Sequence, residues 1–77
     1  MSESFLNFIG PQPSDTGKTS IWIVYARGGG QIGIIKWFGR WRCYSFFPLT
    51  DTVFERSCLR DLADFCEART FEHRKNR

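Results

Sequence analysis

Residues 20–47 decide the fold, and they read SIWIVYARGGGQIGIIKWFGRWRCYSFF. Three runs in this stretch are rich in β-branched and aromatic residues, which is typical of β-strands. Gly28–Gly30 separates the first two runs, Gly39-Arg40 separates the last two, and Pro48 ends the third. Glycine adopts the positive φ angles that tight turns need. The stretch therefore predicts three antiparallel strands, at residues 20–27, 31–38 and 41–47.

The two turns set an expected register for the sheet. Gly39-Arg40 fits a two-residue hairpin loop, which pairs Phe38 with Trp41, and a three-residue loop at 28–30 aligns the first strand. One face then carries Ile21, Ile23, Tyr25, Gly33, Ile35, Trp37, Tyr44 and Phe46, with Arg42 at its edge. The other face carries Trp22, Val24, Ile32, Ile34, Lys36, Phe38, Trp41, Cys43, Ser45 and Phe47. We predict that a helix covers the first face, although a one-residue error in the first loop would exchange the faces of the first strand.

A helical pattern follows the sheet. An apolar stripe at helical spacing consists of Leu59, Leu62, Ala63 and Cys66, widened by Cys58 and Phe65. Ser57 is a plausible N-cap, although Thr52–Glu55 also has the pattern of a capping box. The sequence therefore predicts an α+β fold in the order β-β-β-α, a three-stranded antiparallel sheet packed against one C-terminal α-helix.

The chain has 77 residues and forms one domain at most, with a small core. We expect residues 1–18 to be an N-terminal arm, because the turn-rich segment Pro11–Gly17 cannot continue a helix or a central strand. Its apolar residues Phe5, Leu6, Phe8 and Ile9 would pack on the domain or on a partner. Residues 19–72 form the predicted β-β-β-α domain. Residues 73–77 form a basic tail, which suits the C-terminal end of a helix dipole.

The composition argues against several classes of protein. Cys43, Cys58 and Cys66 are odd in number and widely spaced, unlike the disulfide framework of a secreted protein. They would make a zinc site only by converging with His73, whereas structural zinc usually binds closely spaced ligand pairs. No apolar run approaches the roughly 20 residues that span a bilayer. We therefore predict a cytoplasmic protein with no metal, no cofactor and no membrane partner.

Two motifs look chemical but lack the context that their chemistry needs. Gly28–Gly33 matches the GxGxxG pattern, but a strand follows it where a dinucleotide site requires a helix. Ser14–Thr19 resembles the end of a phosphate-binding loop, yet Gln12 occupies the position of the earlier glycine. No nucleophile is paired with a base, and His73 is the only histidine. We predict that the protein is not an enzyme and has no small-molecule substrate.

Charge is distributed unevenly along the chain. Residues 16–50 contain five cations and no acid, whereas residues 51–72 contain six acids and three arginines. The segment Lys36–Arg42 alternates cations with aromatic rings, a pattern that suits phosphates and bases. The predicted binding residues are Arg27, Lys36, Arg40 and Arg42 for phosphates, and Trp22, Phe38 and Trp41 as stacking or wedge residues. In the alternative interpretation, the tryptophans belong to the core and the cations keep an edge strand soluble.

Two resemblances bear on function. Over about Ser20 to Arg69, the chain resembles a group of small proteins carried by phages and integrated mobile elements. The residues that carry this resemblance are GIIKWF at 33–38, WR at 41–42, YSFFP at 44–48, TVF at 52–54 and CLRDLADF at 58–65. It implies a genomic setting and brings no catalytic residues. Separately, the β-β-β-α order is similar to the DNA-binding sheets of integrase arm-type and AP2-like domains, which lay the sheet into the major groove.

The sequence therefore supports three hypotheses. In the first, the chain is a small binding module of phage type that contacts nucleic acid through its aromatic and basic sheet face and the Gly39-Arg40 hairpin. In the second, it is a phage-type inhibitor, such as an anti-CRISPR or another anti-defence factor, and it binds a host protein or protein complex. In the third, it is a homodimeric interaction protein whose second sheet face is the interface.

Overall fold

A computed structural model describes residues 6–75 as an antiparallel sheet with one helix on one face. The strands are β1 (Leu6–Pro13), β2 (Ser20–Ala26), β3 (Gln31–Phe38) and β4 (Cys43–Pro48), and the helix is α1 (Arg56–Lys75). Spatial order follows chain order, β1-β2-β3-β4. The α+β class, the antiparallel sheet and the C-terminal helix are confirmed. Residues 6–75 form four strands, so the prediction of three was wrong.

The additional strand, β1, lies within the segment that was expected to be an N-terminal arm. Its prolines, Pro11 and Pro13, are tolerated because β1 is an edge strand of the sheet. On the helix side of β1, Leu6 is buried, and the ring of Phe8 stacks on that of Phe65 with 4.1 Å between centroids. These apolar contacts hold the strand in place. Phe5 of the arm and the last two residues of the basic tail lie outside the described residues.

The faces of β2 are exchanged relative to the prediction. Trp22 pairs with Ile35 and Val24 pairs with Gly33, so Trp22 and Val24 lie on the face that α1 covers. The register shifts next to this pair, because Tyr25 pairs with Gln31, which leaves one extra residue in β3 as a bulge. A single extra residue reverses every side chain of the neighbouring strand. Consequently Ile21, Ile23 and Tyr25 lie on the open face, opposite α1.

The β3–β4 loop contains four residues, 39–42, where two were predicted. Phe38 pairs with Cys43, and its carbonyl oxygen accepts hydrogen bonds from the backbone N–H groups of Trp41 (3.2 Å) and Arg42 (2.9 Å). Arg42 has a φ of 55°, in the left-handed region. Because the register differs from the prediction by two residues, the face of each β4 side chain is unchanged.

Helix α1 begins at Arg56, and Glu55 caps it. The Glu55 carboxylate accepts a hydrogen bond from the Cys58 N–H at 2.8 Å, and its carbonyl accepts one from the Leu59 N–H at 3.0 Å. The first of these bonds is the main reason that the pKa of Glu55 lies below its ordinary value. The predicted N-cap, Ser57, lies inside the helix, so that assignment was wrong. The alternative capping box was also wrong, because it would place the N-cap at Thr52, whereas the cap is Glu55.

The apolar stripe of α1 is rotated slightly from the predicted one. Leu62 is buried, and Phe65 and Cys66 pack against the core. Leu59 and Ala63 are exposed, contrary to the prediction. The side of α1 that faces the sheet therefore runs through Leu62, Phe65 and Cys66 and continues toward the C-terminal end of the helix.

The core lies between α1 and the middle of the sheet. Its buried members are Leu6, Trp22, Val24, Ile35, Tyr44 and Leu62. The ring of Trp22 meets Tyr44 and Phe65 edge-on, at centroid distances of 5.4 and 5.3 Å. Such aromatic pairs contribute about 0.5–1.5 kcal/mol each beyond the burial of their area. At the edge of the sheet, the Tyr44 N–H donates to the Thr70 hydroxyl at 2.9 Å, which connects β4 to α1.

Gly33 is the last glycine of the GxGxxG-like motif, and it has a structural role. A Cβ atom there would lie 2.5 Å from the Phe47 carbonyl oxygen and 2.7 Å from ring atoms of Phe46. Any larger side chain would therefore collide with β4. This glycine allows two strands and an aromatic ring to approach closely.

Candidate functional site

The turns of the sheet lie at two opposite ends of the molecule. Residues 14–19, which connect β1 to β2, and the β3–β4 loop, 39–42, lie at one end, because β2 begins beside the place where β3 ends. The β2–β3 loop, 27–30, lies at the other end. Helix α1 runs toward the first end, where the His73 ring lies 4.5 Å from that of Trp37.

The C-terminal turn of α1 contacts the β3–β4 loop directly. The Arg74 guanidinium donates a hydrogen bond from Nη2 to the backbone carbonyl of Arg42 at 3.0 Å. Lys18 and Lys36 line a neighbouring cleft of about 530 Å³ together with Trp37. Cations from separate segments of the chain therefore gather at one end of the molecule. We call this set the basic end, and its members are Lys18, Lys36, Arg40, Arg42, Arg74 and Lys75.

Acidic side chains near the basic end are fewer than the cations. Asp15 lines the same cleft as Lys18, and Glu67 lines another cleft with Arg74. Glu72 forms an ion pair of 2.8 Å with Arg69, whose guanidinium also lies over the ring of Phe65, 5.1 Å from its centroid. Arg69 is therefore engaged by the helix and the core. The six cations of the basic end exceed these nearby acids, and the local charge is positive.

The structure brings together five of the seven predicted binding residues and separates two. Lys36 and Phe38 are at the end of β3, and Arg40, Trp41 and Arg42 are in the loop that follows.

The two remaining residues lie elsewhere. Trp22 is 9% exposed and lies in the core beneath α1, because the bulge in β3 exchanges the faces of β2. Arg27 lies in the β2–β3 loop, about 25 Å from the basic end along β3.

An aromatic cluster lies beside the basic end, on the open face of the sheet. Trp41 is 68% exposed, and its ring meets that of Phe38 edge-on at 4.9 Å. Phe38 in turn meets Phe47 at 5.9 Å, and the ammonium group of Lys36 lies 4.8 Å from the centroid of the Phe47 ring. We define the aromatic cluster as Phe38, Trp41 and Phe47. Phe47 was not among the predicted site residues, although its predicted face was the same as that of Phe38.

A row of apolar side chains crosses the open face beside this cluster. Direct cross-strand pairs connect Ile9 to Ile23, Ile23 to Ile34, and Ile34 to Phe47, so the row spans all four strands. Ile9 is 50% exposed. We call Ile9, Ile23 and Ile34 the isoleucine row. Branched aliphatic side chains of this kind pack well against another apolar surface.

Two of the three cysteines have a thiol whose pKa is raised. Burial, with a smaller effect from the neighbouring Cys43, raises the pKa of the Cys66 thiol to about 11. Burial is also the main reason that the pKa of Cys58 is raised. A protonated thiol is a poor nucleophile, and all three cysteines are free. Within residues 6–75, no group of three histidine, cysteine or acidic side chains could hold a metal ion.

Comparison of the chain with protein-family models, with curated proteins and with solved structures found no match. Within residues 6–75, no helix is both long enough and apolar enough to cross a membrane.

Proposed function

We propose that this chain is a small, non-enzymatic module that binds nucleic acid through the basic end. The observation that carries the proposal is the bond between Arg74 and the Arg42 carbonyl, because it joins two groups of cations that are distant in sequence. Cations held close together neutralise adjacent phosphates and release the counterions that surround nucleic acid. This release supplies a favourable free energy that does not depend on base sequence.

The distribution of opposite charge supports the same orientation. Asp61 and Asp64 lie in the N-terminal half of α1, away from the basic end. Arg56 and Arg60 balance these two acids, so the N-terminal half of α1 offers a polyanion no net attraction, whereas the basic end does. The basic end is therefore the part that meets the phosphates first.

Charge-matched double variants test the proposal. Arg40→Gln with Arg42→Asn removes two cations from the basic end, and asparagine tolerates the left-handed conformation of residue 42. Arg56→Gln with Arg60→Gln removes two exposed cations from the opposite end of α1. Binding to a labelled oligonucleotide is measured by fluorescence anisotropy at about 50 mM salt.

The first pair is expected to weaken binding by about tenfold or more and to reduce the slope of log affinity against log salt by about 1.4–1.8. The second pair should leave affinity within about twofold. Equal losses for both pairs would mean that only net charge matters, and the basic end would not be the site.

A second candidate function, the binding of a protein, is favoured by the isoleucine row. These side chains cannot hydrogen-bond to bases or phosphates, and burying them against an apolar partner contributes about 25 cal/mol for each Å² removed from water. The partner in this case is a host protein that the chain inhibits, or a second copy of the chain. Both alternatives use the open face of the sheet, which also carries Lys36 of the basic end.

Sedimentation at increasing protein concentration tests self-association through this face. The informative variant is Ile9→Thr, because Ile9 is exposed and its replacement leaves the core intact. A dimer that this variant disrupts supports the second copy. A specific protein captured from a host-cell lysate by the wild type, and lost with the variant, supports inhibition. A monomer that captures nothing specific rejects both forms of this candidate.

A further inference from the structure

We infer that the nucleic acid bound at the basic end is a single strand with unpaired bases. This inference rests on the proposed function and adds the class of ligand. It begins from the aromatic cluster, which lies next to the cations and outside the core. Trp41 is 68% exposed, so most of its indole surface contacts no protein atom.

The geometry of the cluster leaves ring faces available. Trp41 and Phe38 meet at an interplanar angle of 83°, and Phe38 and Phe47 meet at 73°. In such edge-to-face contacts, one ring presents its edge to its neighbour. A base that stacks on an exposed aromatic face typically contributes about 5- to 150-fold in affinity. The exposed indole of Trp41 is the best platform of the three.

Unpaired bases suit this platform better than a duplex, in which a side chain must first unstack a base step. In a duplex the faces of the bases are already stacked on one another, and proteins meet base edges and phosphates. In a single strand the bases turn outward and stack on protein rings while cations hold the backbone. Lys36, Arg40 and Arg42 flank the cluster in sequence and supply those cations.

The rest of the open face disfavours a duplex. On this face of the described strands, a cation is present only in the row next to the isoleucine row, where Lys36 lies between Ile21 and Ser45, and the isoleucine row itself carries no polar side chain. A duplex laid across the sheet would place phosphates and groove edges against Ile23 and Ile34, where polar groups lose water without gaining hydrogen bonds. The docking of integrase arm-type and AP2-like sheets in the major groove therefore does not suit this face.

The test compares two probes in one anisotropy assay at about 50 mM salt, oligo(dT) of about 12 nucleotides and a mixed-sequence duplex of the same length. The variant is Trp41→Ala. Its matched control is Phe71→Ala, because Phe71 is 67% exposed on α1 and belongs to neither the core nor the cluster. Circular dichroism checks that both variants fold.

We expect the wild type to bind oligo(dT) at least about tenfold more tightly than the duplex. Trp41→Ala should lose about 5- to 50-fold toward oligo(dT) and stay within about twofold toward the duplex, whereas Phe71→Ala should match the wild type on both probes. Trp41→Phe should retain part of the affinity because it keeps a ring.

The outcomes separate this inference from the proposed function. Equal or tighter binding of the duplex, or an unchanged affinity of Trp41→Ala for oligo(dT), overturns the single-strand inference and leaves the basic end as a binding site. Failure of the wild type to bind either probe overturns both.

Discussion

The Arg74 guanidinium lies 3.0 Å from the backbone carbonyl oxygen of Arg42, and this hydrogen bond fixes the β3–β4 loop to the end of α1. The same loop residue donates its own N–H to the Phe38 carbonyl at 2.9 Å. The backbone N–H and the backbone carbonyl of Arg42 are therefore both hydrogen-bonded. Hydrogen bonds with a charged donor are stronger than neutral ones, so this contact orders the loop that carries Trp41.

The contact predicts a difference between two neighbouring cations of α1. Arg74→Ala removes a charge and the hydrogen bond to the loop, whereas Lys75→Ala removes a charge alone. Both variants should weaken oligo(dT) binding, and the loss for Arg74→Ala should exceed that for Lys75→Ala by at least about threefold. Anisotropy titrations measure the affinities. Equal losses would show that the contact does not organise the loop for binding.

We expect removal of the Thr70 hydroxyl, which connects α1 to β4, to lower the free energy of unfolding. Its hydroxyl accepts from the Tyr44 N–H at 2.9 Å and donates to the Cys66 carbonyl at 2.8 Å, and the residue is buried. Thr70→Val keeps the shape but leaves a buried N–H without an acceptor, which should cost about 1–3 kcal/mol of unfolding free energy. Thr70→Ser keeps the hydroxyl and should lose much less. Urea denaturation compares them, and equal losses would contradict this account.

We expect a methyl group added at Gly33 to lower the stability of the sheet, because there is no room for it beside β4. Gly33→Ala places a Cβ within 2.5 Å of the Phe47 carbonyl oxygen, and relief of this overlap should cost about 1–3 kcal/mol. At Gly30 a Cβ would meet no atom within 4 Å, so Gly30→Ala should change stability by less than about 0.5 kcal/mol. Thermal unfolding of the two variants provides the comparison. A Gly33→Ala protein as stable as the wild type would show that β3 and β4 are less closely apposed.

We expect the stabilisation that the Glu55 cap gives to α1 to depend on pH. Its pKa is lowered in the folded protein, chiefly by the hydrogen bond from the Cys58 N–H. The stabilisation is therefore complete above the ordinary pKa of 4.5 and is lost as pH falls through the lower pKa of the folded state. Glu55→Gln should be less stable than the wild type at neutral pH, and the difference should shrink toward about pH 3.

The matched control is Glu67→Gln, which removes an exposed carboxylate from the middle of α1. Unfolding free energies are measured across the same pH range. A difference for Glu55→Gln that stays constant with pH, or one that Glu67→Gln reproduces, would exclude a charged cap at residue 55.

The fold class was predictable because it depends on local patterns. Runs of β-branched and aromatic residues identified β2, β3 and β4, and helical spacing identified α1. The strand β1 was missed because its prolines argue against a strand. Its edge position makes them tolerable, and Pro11 also lies where the pairing with β2 is irregular, between Ile9 and Gln12. The faces of β2 were missed because a bulge of one residue in β3 reverses them, and a bulge has no clear signal in the sequence.

The site was predictable only where its residues are adjacent in the chain. Lys36, Phe38, Arg40, Trp41 and Arg42 form one segment, and the structure places them together. Trp22 and Arg27 depended on the register and on the position of the first loop, and both lie elsewhere. The contribution of Arg74 required knowledge of where α1 ends relative to the loop, which is a long-range relationship that no local pattern contains.

The central claim is that the basic end binds the phosphates of nucleic acid, and the salt dependence of wild-type binding tests it most directly. Affinity for oligo(dT) of about 12 nucleotides is measured from about 50 to 200 mM salt. Neutralisation of three to six phosphates by these cations, at about 0.7 per phosphate of a single strand, predicts a log–log slope of about −2 to −4. No binding at about 50 mM salt, or an affinity that does not change with salt, would contradict the claim.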